Sequence, residues 1–287
     1  MAGPTRFSLC QLAVPDTTFE QDVELAERLG IGLSIDTDKL GDPEDDDRLI
    51  ALMRDSRVPA AVCVPQPMTI LPSDYVPEPL DLDERMTRIR SGIRRLARFG
   101  PETVFVITGP ERALGAQKAR DIVVESLRDL QQVATEAGVK LSLEPMREEN
   151  RASWNLLASM GETVDMIEEV GGELGIVLDM WHMWTTPDIL AMSEKYGSLV
   201  TGVHVCDLPD PLRNAMDRVL PGDGTIDMPA MIRALESGGF TGWWDLEIFS
   251  DPEFPDSIWK RDPSDWVAEG KQKFDHIYDE AHASTAS

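Results

Sequence analysis

The sequence is poor in basic residues, and this shortage excludes two classes of partner. Its 287 residues include 27 lysines and arginines against 52 aspartates and glutamates, a formal net charge of −25. A surface of that sign repels the phosphates of nucleic acids and the anionic face of a membrane. We therefore expect neither a nucleic acid nor a membrane as a partner.

Cysteines and long apolar runs are also scarce. Cys10, Cys63 and Cys206 form no CxxC pair, and each lies in or beside an apolar, β-like run. We expect free, buried thiols in a reducing cytoplasm rather than disulfides or a zinc knuckle. No stretch approaches the roughly 20 apolar residues that span a bilayer, and the first residues do not resemble a signal peptide. Neither secretion nor membrane insertion is predicted.

The sequence does contain a regular alternation of short and long segments. Short runs rich in Val, Ile and Leu recur between amphipathic stretches, a pattern typical of strands alternating with crossover helices. Eight runs are predicted strands: 7–11, 31–36, 60–64, 103–108, 140–144, 174–179, 199–205 and 242–248. Seven stretches between them are predicted helices: 19–29, 44–54, 82–99, 116–137, 160–170, 187–196 and 228–237. Eight such units close a barrel, so we predict the α/β class and a single (β/α)8 TIM barrel domain over residues 1–287, with 1–5 and 281–287 disordered.

Three stretches that follow predicted strands are predicted loops. Residues 65–81 hold too many prolines for a helix or a central strand. Residues 207–227 and 251–265 follow the seventh and eighth strands. Because the carboxyl ends of barrel strands open onto one mouth, we expect the first loop to help wall a pocket there.

Four consecutive strands end on side chains that can bind a metal. LSLEP ends on Glu144, GIVLDMWH carries Asp179, GVHVCD carries His204 and WWDLEIFS carries Glu247. One such residue alone is typical of a helix cap or a packed histidine. Burying four ionisable groups is costly unless they are paired or bound to a cation, so the pattern predicts one divalent ion. Three carboxylates and an imidazole favour Mn²⁺ or Mg²⁺ over zinc, with Co²⁺ as a substitute.

Three further residues are candidates for substrate binding. His182 follows Asp179 by three residues and can lean over the same mouth. Asp207 and Arg218 lie in the loop after the seventh strand, where an arginine could hold a hydroxyl or stabilise developing negative charge. Two alternatives stay open: His182 could cap a helix, and Asp207 and Arg218 could form an ordinary ion pair within the loop.

These segments resemble the sugar phosphate isomerase/epimerase group of xylose isomerase-like barrels. LSLEP, GIVLDMWHMW, VTGVHVCD, DRVLPGDGTID and WWDLEIFS carry the resemblance through the C-terminal half, whereas the first half offers only the strand and helix rhythm and GIGLSIDTDKLGD. The resemblance implies that the four strand-end residues hold one divalent ion. It also implies that Glu144 and Glu247 act as acid and base, with His182 and Arg218 near the substrate's oxygens. Recognition residues that several epimerases carry early in the chain cannot be placed in this sequence.

The reaction that the resemblance implies begins with removal of a proton next to a carbonyl. A metal ion stabilises the resulting enediolate while one glutamate takes the proton and the other returns one. We expect Glu144, Glu247 and His182 to be catalytic, in an isomerase or epimerase of a small sugar or polyhydroxy carbonyl compound. The alternative is a metal-dependent lyase, a dehydratase or β-eliminase acting on a keto-sugar, inosose or oxidised glycoside.

The sequence supports other functions less well. A nucleic-acid hydrolase with a multi-zinc site would need more than the four histidines present and a surface that attracts phosphate. The intact set of four metal ligands argues against a barrel that binds a sugar without catalysing a reaction. The scattered Arg147, Arg213 and Arg218, without a glycine-rich anion cradle, predict a carbohydrate without phosphate. Whether the chain forms a homo-oligomer stays open.

Overall fold

Eight short parallel strands form the centre of the computed structural model, which describes residues 6–283. They are β1 (Phe7–Cys10), β2 (Gly32–Ser34), β3 (Val62–Cys63), β4 (Thr103–Val106), β5 (Lys140–Leu143), β6 (Gly175–Asp179), β7 (Val200–Val205) and β8 (Trp243–Leu246). Neighbours follow the order β2, β1, β8, β7, β6, β5, β4, β3. Parallel bridges from Leu33 to Ala60 and from Asp36 to Val64 join β2 to β3 and close the ring. The predicted barrel is confirmed, whereas the single-domain extent stays a prediction.

The helices surround the strands and match the seven predicted ones to within two residues. They are α1 (Phe19–Leu29), α2 (Asp46–Ser56), α3 (Leu82–Ala97), α4 (Ala116–Ala137), α5 (Met160–Val170), α6 (Met180–Met183), α7 (Ile189–Tyr196), α8 (Met228–Ser237) and α9 (Pro263–Ala283). The short α6 was not predicted, and α9 begins inside the segment predicted as a loop. Among the described residues, no helix is long and apolar enough to cross a membrane.

Local signals in the sequence explain where several helices begin and end. The side chains of Thr18, Asp81 and Ser159 each accept a hydrogen bond from the backbone N–H three residues on, at the starts of α1, α3 and α5. Gly30 and Gly138 end α1 and α4 in the left-handed conformation, which glycine adopts without steric cost. These signals allow the helix bounds to be predicted closely.

The predicted disordered tail needs a partial correction. Residues 1–5 and 284–287 lie outside the described residues, but α9 extends to Ala283. Ala281 is buried, and the ring of His282 lies 2.8 Å from Glu236 on α8. Burial and this contact hold the last turn of α9 against α8, so residues 281–283 are helical.

The loop at residues 65–81 is held by one buried guanidinium. Arg85, on the first turn of α3, donates to the carbonyl oxygens of Thr69, Val76 and Pro79 at 2.8, 2.8 and 2.9 Å. The beginning of the same loop pairs with the extension of β4, because the N–H of Ile107 donates to the Met68 carbonyl at 2.9 Å. The loop therefore has a defined path along the mouth, as its position after β3 predicts.

We predict that Arg85→Ala lowers the free energy of unfolding by about 3 kcal/mol or more, because it leaves several carbonyl oxygens without their charged donor. Arg88→Ala is the matched control on the exposed face of α3, where Arg88 pairs with the equally exposed Glu84. It should cost less than about 1 kcal/mol. Chemical denaturation measures both, and equal losses would show that Arg85 does not anchor the loop.

Candidate metal centre

Four side chains from the ends of neighbouring strands meet in one buried space. Glu144 follows β5, Asp179 ends β6, His204 lies near the end of β7 and Glu247 follows β8. One ligand atom from each lies within 4.8 Å of those of the other three, and all four residues are buried. Parallel pairing explains the convergence, since it places Asp179 directly opposite His204. We call these four residues the ligand cluster.

Within the cluster, the imidazole of His204 faces two carboxylates. Its Nδ1 lies 2.9 Å from Glu144 Oε1 and 3.4 Å from Glu247 Oε2. Burial raises the pKa of Glu144. Burial alone would lower the pKa of His204, but the charges of Glu247 and Glu144 outweigh it and raise that pKa. Without a cation the cluster therefore retains protons that an ion would have to displace.

Arg218 is the cation built into this site. Its Nη1 lies 2.7 Å from Glu247 Oε2 and 2.9 Å from Asp179 Oδ2. The guanidinium also lies over the rings of Trp181 and Phe249, at 5.1 and 4.6 Å from their centroids. The structure thus brings this predicted residue to the cluster. When the three carboxylates are ionised and His204 is neutral, as ligands of an ion would be, the charge of Arg218 leaves two negative charges for a divalent cation to compensate.

His182 also lies at the cluster, as its spacing from Asp179 predicts. Its Nε2 is 3.7 Å from Asp179 Oδ2, and its Nδ1 is buried without a hydrogen-bond partner among residues 6–283. Burial, aided by the charge of Arg218, lowers the pKa of His182 well below its usual value. The ring is therefore neutral at pH 7 and can exchange hydrogen bonds with a ligand's oxygen.

Asp207 is held by the loop in which it lies. Its two oxygens accept hydrogen bonds from the backbone N–H groups of Leu208, Gly222 and Ile226, at 2.8 to 3.0 Å. It is not among the residues that line the space above the cluster. That Asp207 binds substrate stays a prediction, although its carboxylate already accepts three backbone hydrogen bonds that hold the loop after β7.

Two residues of the site escaped the sequence analysis. Asp245 lies two residues before Glu247 on the inner face of β8, and its Oδ2 is 3.7 Å from His204 Nε2. Both of these atoms are buried and lack a hydrogen-bond partner within residues 6–283. The Cys10 thiol donates to Glu247 Oε1 at 3.6 Å. The signal for Asp245 was its spacing from Glu247, since residues i and i+2 of a strand share a face.

The orphaned atoms test whether a metal ion fits these residues. If the proton of His204 is on Nε2, facing Asp245, the Nδ1 lone pair points into the cluster as a ligand. A carboxylate behind a histidine is the usual arrangement at protein metal sites, where it fixes the tautomer and orients the ring. Burial and the charge of Glu247 raise the pKa of the Cys10 thiol well above its usual value, so it stays protonated and is a poor ligand. The residues present therefore fit one divalent ion held by oxygen and imidazole donors.

Comparison with known proteins adds a family and several relatives. A family model described as a xylose isomerase-like TIM barrel matches residues 23–274. An inosose isomerase of Halalkalibacterium halodurans is 27% identical over 159 residues, 54% of this chain and 55% of that protein. A 3-dehydro-D-guloside 4-epimerase of Escherichia coli is 30% identical over 125 residues, 43% of this chain and 44% of that protein. The chain spans about half the length of the curated relatives it matches.

Two further comparisons bear on the reaction and the fold. An inosose dehydratase of Klebsiella pneumoniae is 22% identical over 164 residues, 51% of this chain and 53% of that protein. The crystal structure of IolI protein with a zinc atom has a TM-score of 0.76 at 20% identity, covering 97% of this chain and 98% of that one. At that identity, the structural likeness shows the fold alone.

We predict that Asp245→Asn weakens divalent-ion binding by roughly 10- to 100-fold, the usual cost of removing a carboxylate behind a ligating histidine. Burial raises the pKa of Asp245 to about 7. Calorimetry at pH 8 therefore compares the ionised aspartate of the wild type with the neutral asparagine of the variant. The matched control is Asp36→Asn, a buried aspartate after β2 that lies outside the ligand cluster. Equal ion affinities for wild type and Asp245→Asn would show that Asp245 does not position His204.

Proposed function

The chain belongs to the xylose isomerase-like TIM barrel family, and we propose on that premise that it is a divalent-metal-dependent isomerase or epimerase of a small carbohydrate or related hydroxycarbonyl compound. The observation that carries the proposal is the buried ligand cluster, Glu144, Asp179, His204 and Glu247, in which one ligand atom from each residue lies within 4.8 Å of the others. The similarity to an inosose isomerase and to a 3-dehydro-D-guloside 4-epimerase supports the same reaction class.

The donor set favours Mn²⁺ or Mg²⁺ as the bound ion. Carboxylate oxygens prefer hard cations, and the protonated Cys10 thiol offers no soft ligand. Co²⁺ is an expected substitute in the test tube. The crystal structure of IolI protein holds zinc, so elemental analysis of this chain compares zinc with Mn²⁺ and Mg²⁺.

A bound divalent ion would supply Lewis-acid chemistry, polarising a carbonyl and stabilising negative charge on its oxygen. The chain's own residues then supply the proton transfers. Glu144 and Glu247 come from strands at opposite ends of the cluster, so one can remove a proton from the carbon next to the carbonyl while the other returns one. With the ion bound, the carboxylate of Glu144 is ionised, as a group that accepts a proton must be.

His182 and Arg218 are proposed to hold the substrate's oxygens. The neutral ring of His182 has an unpartnered nitrogen, and the Nε of Arg218 is likewise buried without a partner among the described residues. Both atoms are able to hydrogen-bond a hydroxyl or carbonyl oxygen. Because the other contacts of Arg218 hold it against Asp179 and Glu247, its position is fixed before substrate arrives.

A metal-dependent lyase is the second candidate function. The similarity to an inosose dehydratase favours it, and the same proton removal leads to elimination when the next carbon carries a leaving group. Mass and NMR analysis of products from ketoses, aldoses, inososes and keto-glycosides with added Mn²⁺ separates the two. Isomers of unchanged mass support the first proposal, and a product that has lost water or an aglycone supports the second.

We predict one divalent ion per chain, bound with release of protons. Because the pKa values of Glu144 and His204 are raised when no ion is present, the free site holds protons that the loaded site lacks. Ion affinity should therefore rise with pH between about 6 and 8. Calorimetry in two buffers of different ionisation enthalpy measures the proton release, and proton uptake would contradict the assignment.

Removing a residue that only hydrogen-bonds a metal ligand typically weakens ion binding by roughly 10- to 100-fold. His204→Ala should weaken it more than that, because it removes a ligand itself. The control is His276→Ala on the exposed face of α9. Elemental analysis and calorimetry that found equal binding in wild type and His204→Ala would place the ion elsewhere.

The acid–base roles predict a rate effect. Glu144→Gln and Glu247→Gln each keep an oxygen but remove the basic carboxylate, so kcat should fall by about 10²- to 10⁴-fold for the residue that acts as the base. Glu168→Gln, on the exposed face of α5, is the control. Turnover in D₂O should place deuterium on the reprotonated carbon. Near-normal kcat in both variants, with no deuterium in product or recovered substrate, would eliminate proton transfer by these glutamates.

A further inference from the structure

The thiol of Cys10 lies beside a residue of the ligand cluster but has no role in the proposed function. Cys10 ends β1, is buried, and donates to Glu247 Oε1 at 3.6 Å. The other two cysteines have different partners. The Cys63 sulfur accepts a backbone hydrogen bond, and the Cys206 sulfur is contacted by Arg218 Nη1 at 3.6 Å. Within residues 6–283, Cys10 alone of the three belongs to a group of side chains placed to hold an ion.

That group consists of Cys10, His204 and Glu247, and we call it the sulfur set. One ligand atom from each residue lies within 4.8 Å of the other two, and all three residues are buried. Among the described residues, no such group joins Cys10 to Glu144 or Asp179. The sulfur set therefore shares two residues with the ligand cluster and replaces the other two with one sulfur from β1.

The distances within the sulfur set match those between ligands of one tetrahedral ion. Sulfur and oxygen ligands that lie about 2.3 and 2.1 Å from a zinc ion are about 3.6 Å apart, and nitrogen and oxygen ligands are about 3.4 Å apart. Cys10 Sγ is 3.6 Å from Glu247 Oε1, and His204 Nδ1 is 3.4 Å from Glu247 Oε2. The thiol proton that joins Cys10 to Glu247 is therefore the group that an ion would replace.

The charge of the sulfur set also matches a divalent ion. With a thiolate on Cys10, a carboxylate on Glu247 and a neutral imidazole on His204, the set carries two negative charges. Burial, followed by the charges of Glu247, Asp245 and Asp36, raises the pKa of the Cys10 thiol when no ion is present. A bound cation reverses this effect, because the carboxylates that oppose a thiolate attract the ion that stabilises it.

Hard and thiophilic ions differ in their affinity for such a thiol. Mn²⁺ and Mg²⁺ prefer oxygen ligands, so the protonated Cys10 is a poor ligand for them. Zn²⁺ binds thiolates readily, and Co²⁺ adopts the same tetrahedral sites. A thiol that coordinates such an ion loses its proton outright, and the proton passes to the solvent. The two sets of residues therefore favour different ions.

We propose that the sulfur set is a second ion position, which takes thiophilic divalent ions such as Zn²⁺ and Co²⁺ in place of the hard ion of the ligand cluster. The inference rests on the proposed function and deepens it, because it assigns the choice between ions at this site to Cys10. Both positions need His204 and Glu247, so the two ions exclude one another. Three protein ligands leave the fourth position of a tetrahedral ion open to solvent or a small ligand.

The absorption spectrum of the Co²⁺-loaded protein tests the inference, because a thiolate bound to Co²⁺ gives an intense sulfur-to-metal charge-transfer band in the near ultraviolet. Oxygen and nitrogen ligands give no such band. We expect the band in the wild type and its loss in Cys10→Ser. Cys63→Ser is the matched control, since Cys63 is equally buried but belongs to neither group of ligands. It should keep the band at full intensity.

Ion affinities measured by calorimetry give a second readout. Cys10→Ser should weaken Zn²⁺ binding by more than about tenfold, because it removes a ligand rather than an outer partner. Its Mn²⁺ affinity should change little, since the serine hydroxyl still donates to Glu247. Equal weakening of both ions in a folded Cys10→Ser variant would show that Cys10 only positions Glu247, and would contradict the inference.

The remaining outcomes separate this inference from the proposed function. Co²⁺ that binds the wild type without the charge-transfer band overturns the sulfur set and leaves the ligand cluster standing. A band that persists in Cys10→Ser but disappears in Cys206→Ser places the sulfur ligand at Cys206, and likewise overturns it. If neither Co²⁺, Zn²⁺ nor Mn²⁺ binds the wild type, both proposals fail.

Discussion

Three carboxylates forced into one buried space repel one another, and the mouth of this barrel is organised around the positive charges that compensate them. Arg218 supplies one charge from the loop after β7, held between Trp181 and Phe249. His204 supplies a nitrogen backed by Asp245. The proposed divalent ion would supply the rest. Because the carboxylates lie at the carboxyl ends of β5, β6 and β8 in one closed sheet, the strands bring them together, so the constraint belongs to the fold itself.

Much of this architecture could be predicted from the sequence. The two periodicities, apolar runs for strands and amphipathic stretches for helices, place every strand and seven helices because a parallel barrel buries its strands completely. The ligand cluster was predictable because Glu144, Asp179, His204 and Glu247 occupy equivalent strand ends. The order of strands in a closed barrel then brings those ends together.

What could not be predicted depends on side-chain direction and on contacts distant in sequence. Asp207 and Arg218 lie in the same loop, yet one binds backbone N–H groups and the other reaches the cluster. Local sequence does not distinguish these two outcomes. The part played by Asp245 depends on the orientation of the His204 ring. The helical conformation of residues 281–283 reflects packing of α9 on α8 rather than a pattern in the sequence there.

The halves of the barrel thus differ in what they contribute. Strands β5 to β8 and their loops provide the charged groups, whereas the β1 to β4 side contributes only apolar side chains to the lining of the space above them: Leu12, Met68, Phe105 and Ile107. The central claim is that the four strand-end residues share one divalent ion, and anomalous diffraction at the manganese edge from a Mn²⁺-soaked crystal tests it most directly. The account predicts a single strong peak within coordination distance of Glu144, Asp179, His204 Nδ1 and Glu247. A fully soaked crystal with no peak there, or with its strongest peak at another group of residues, would contradict it.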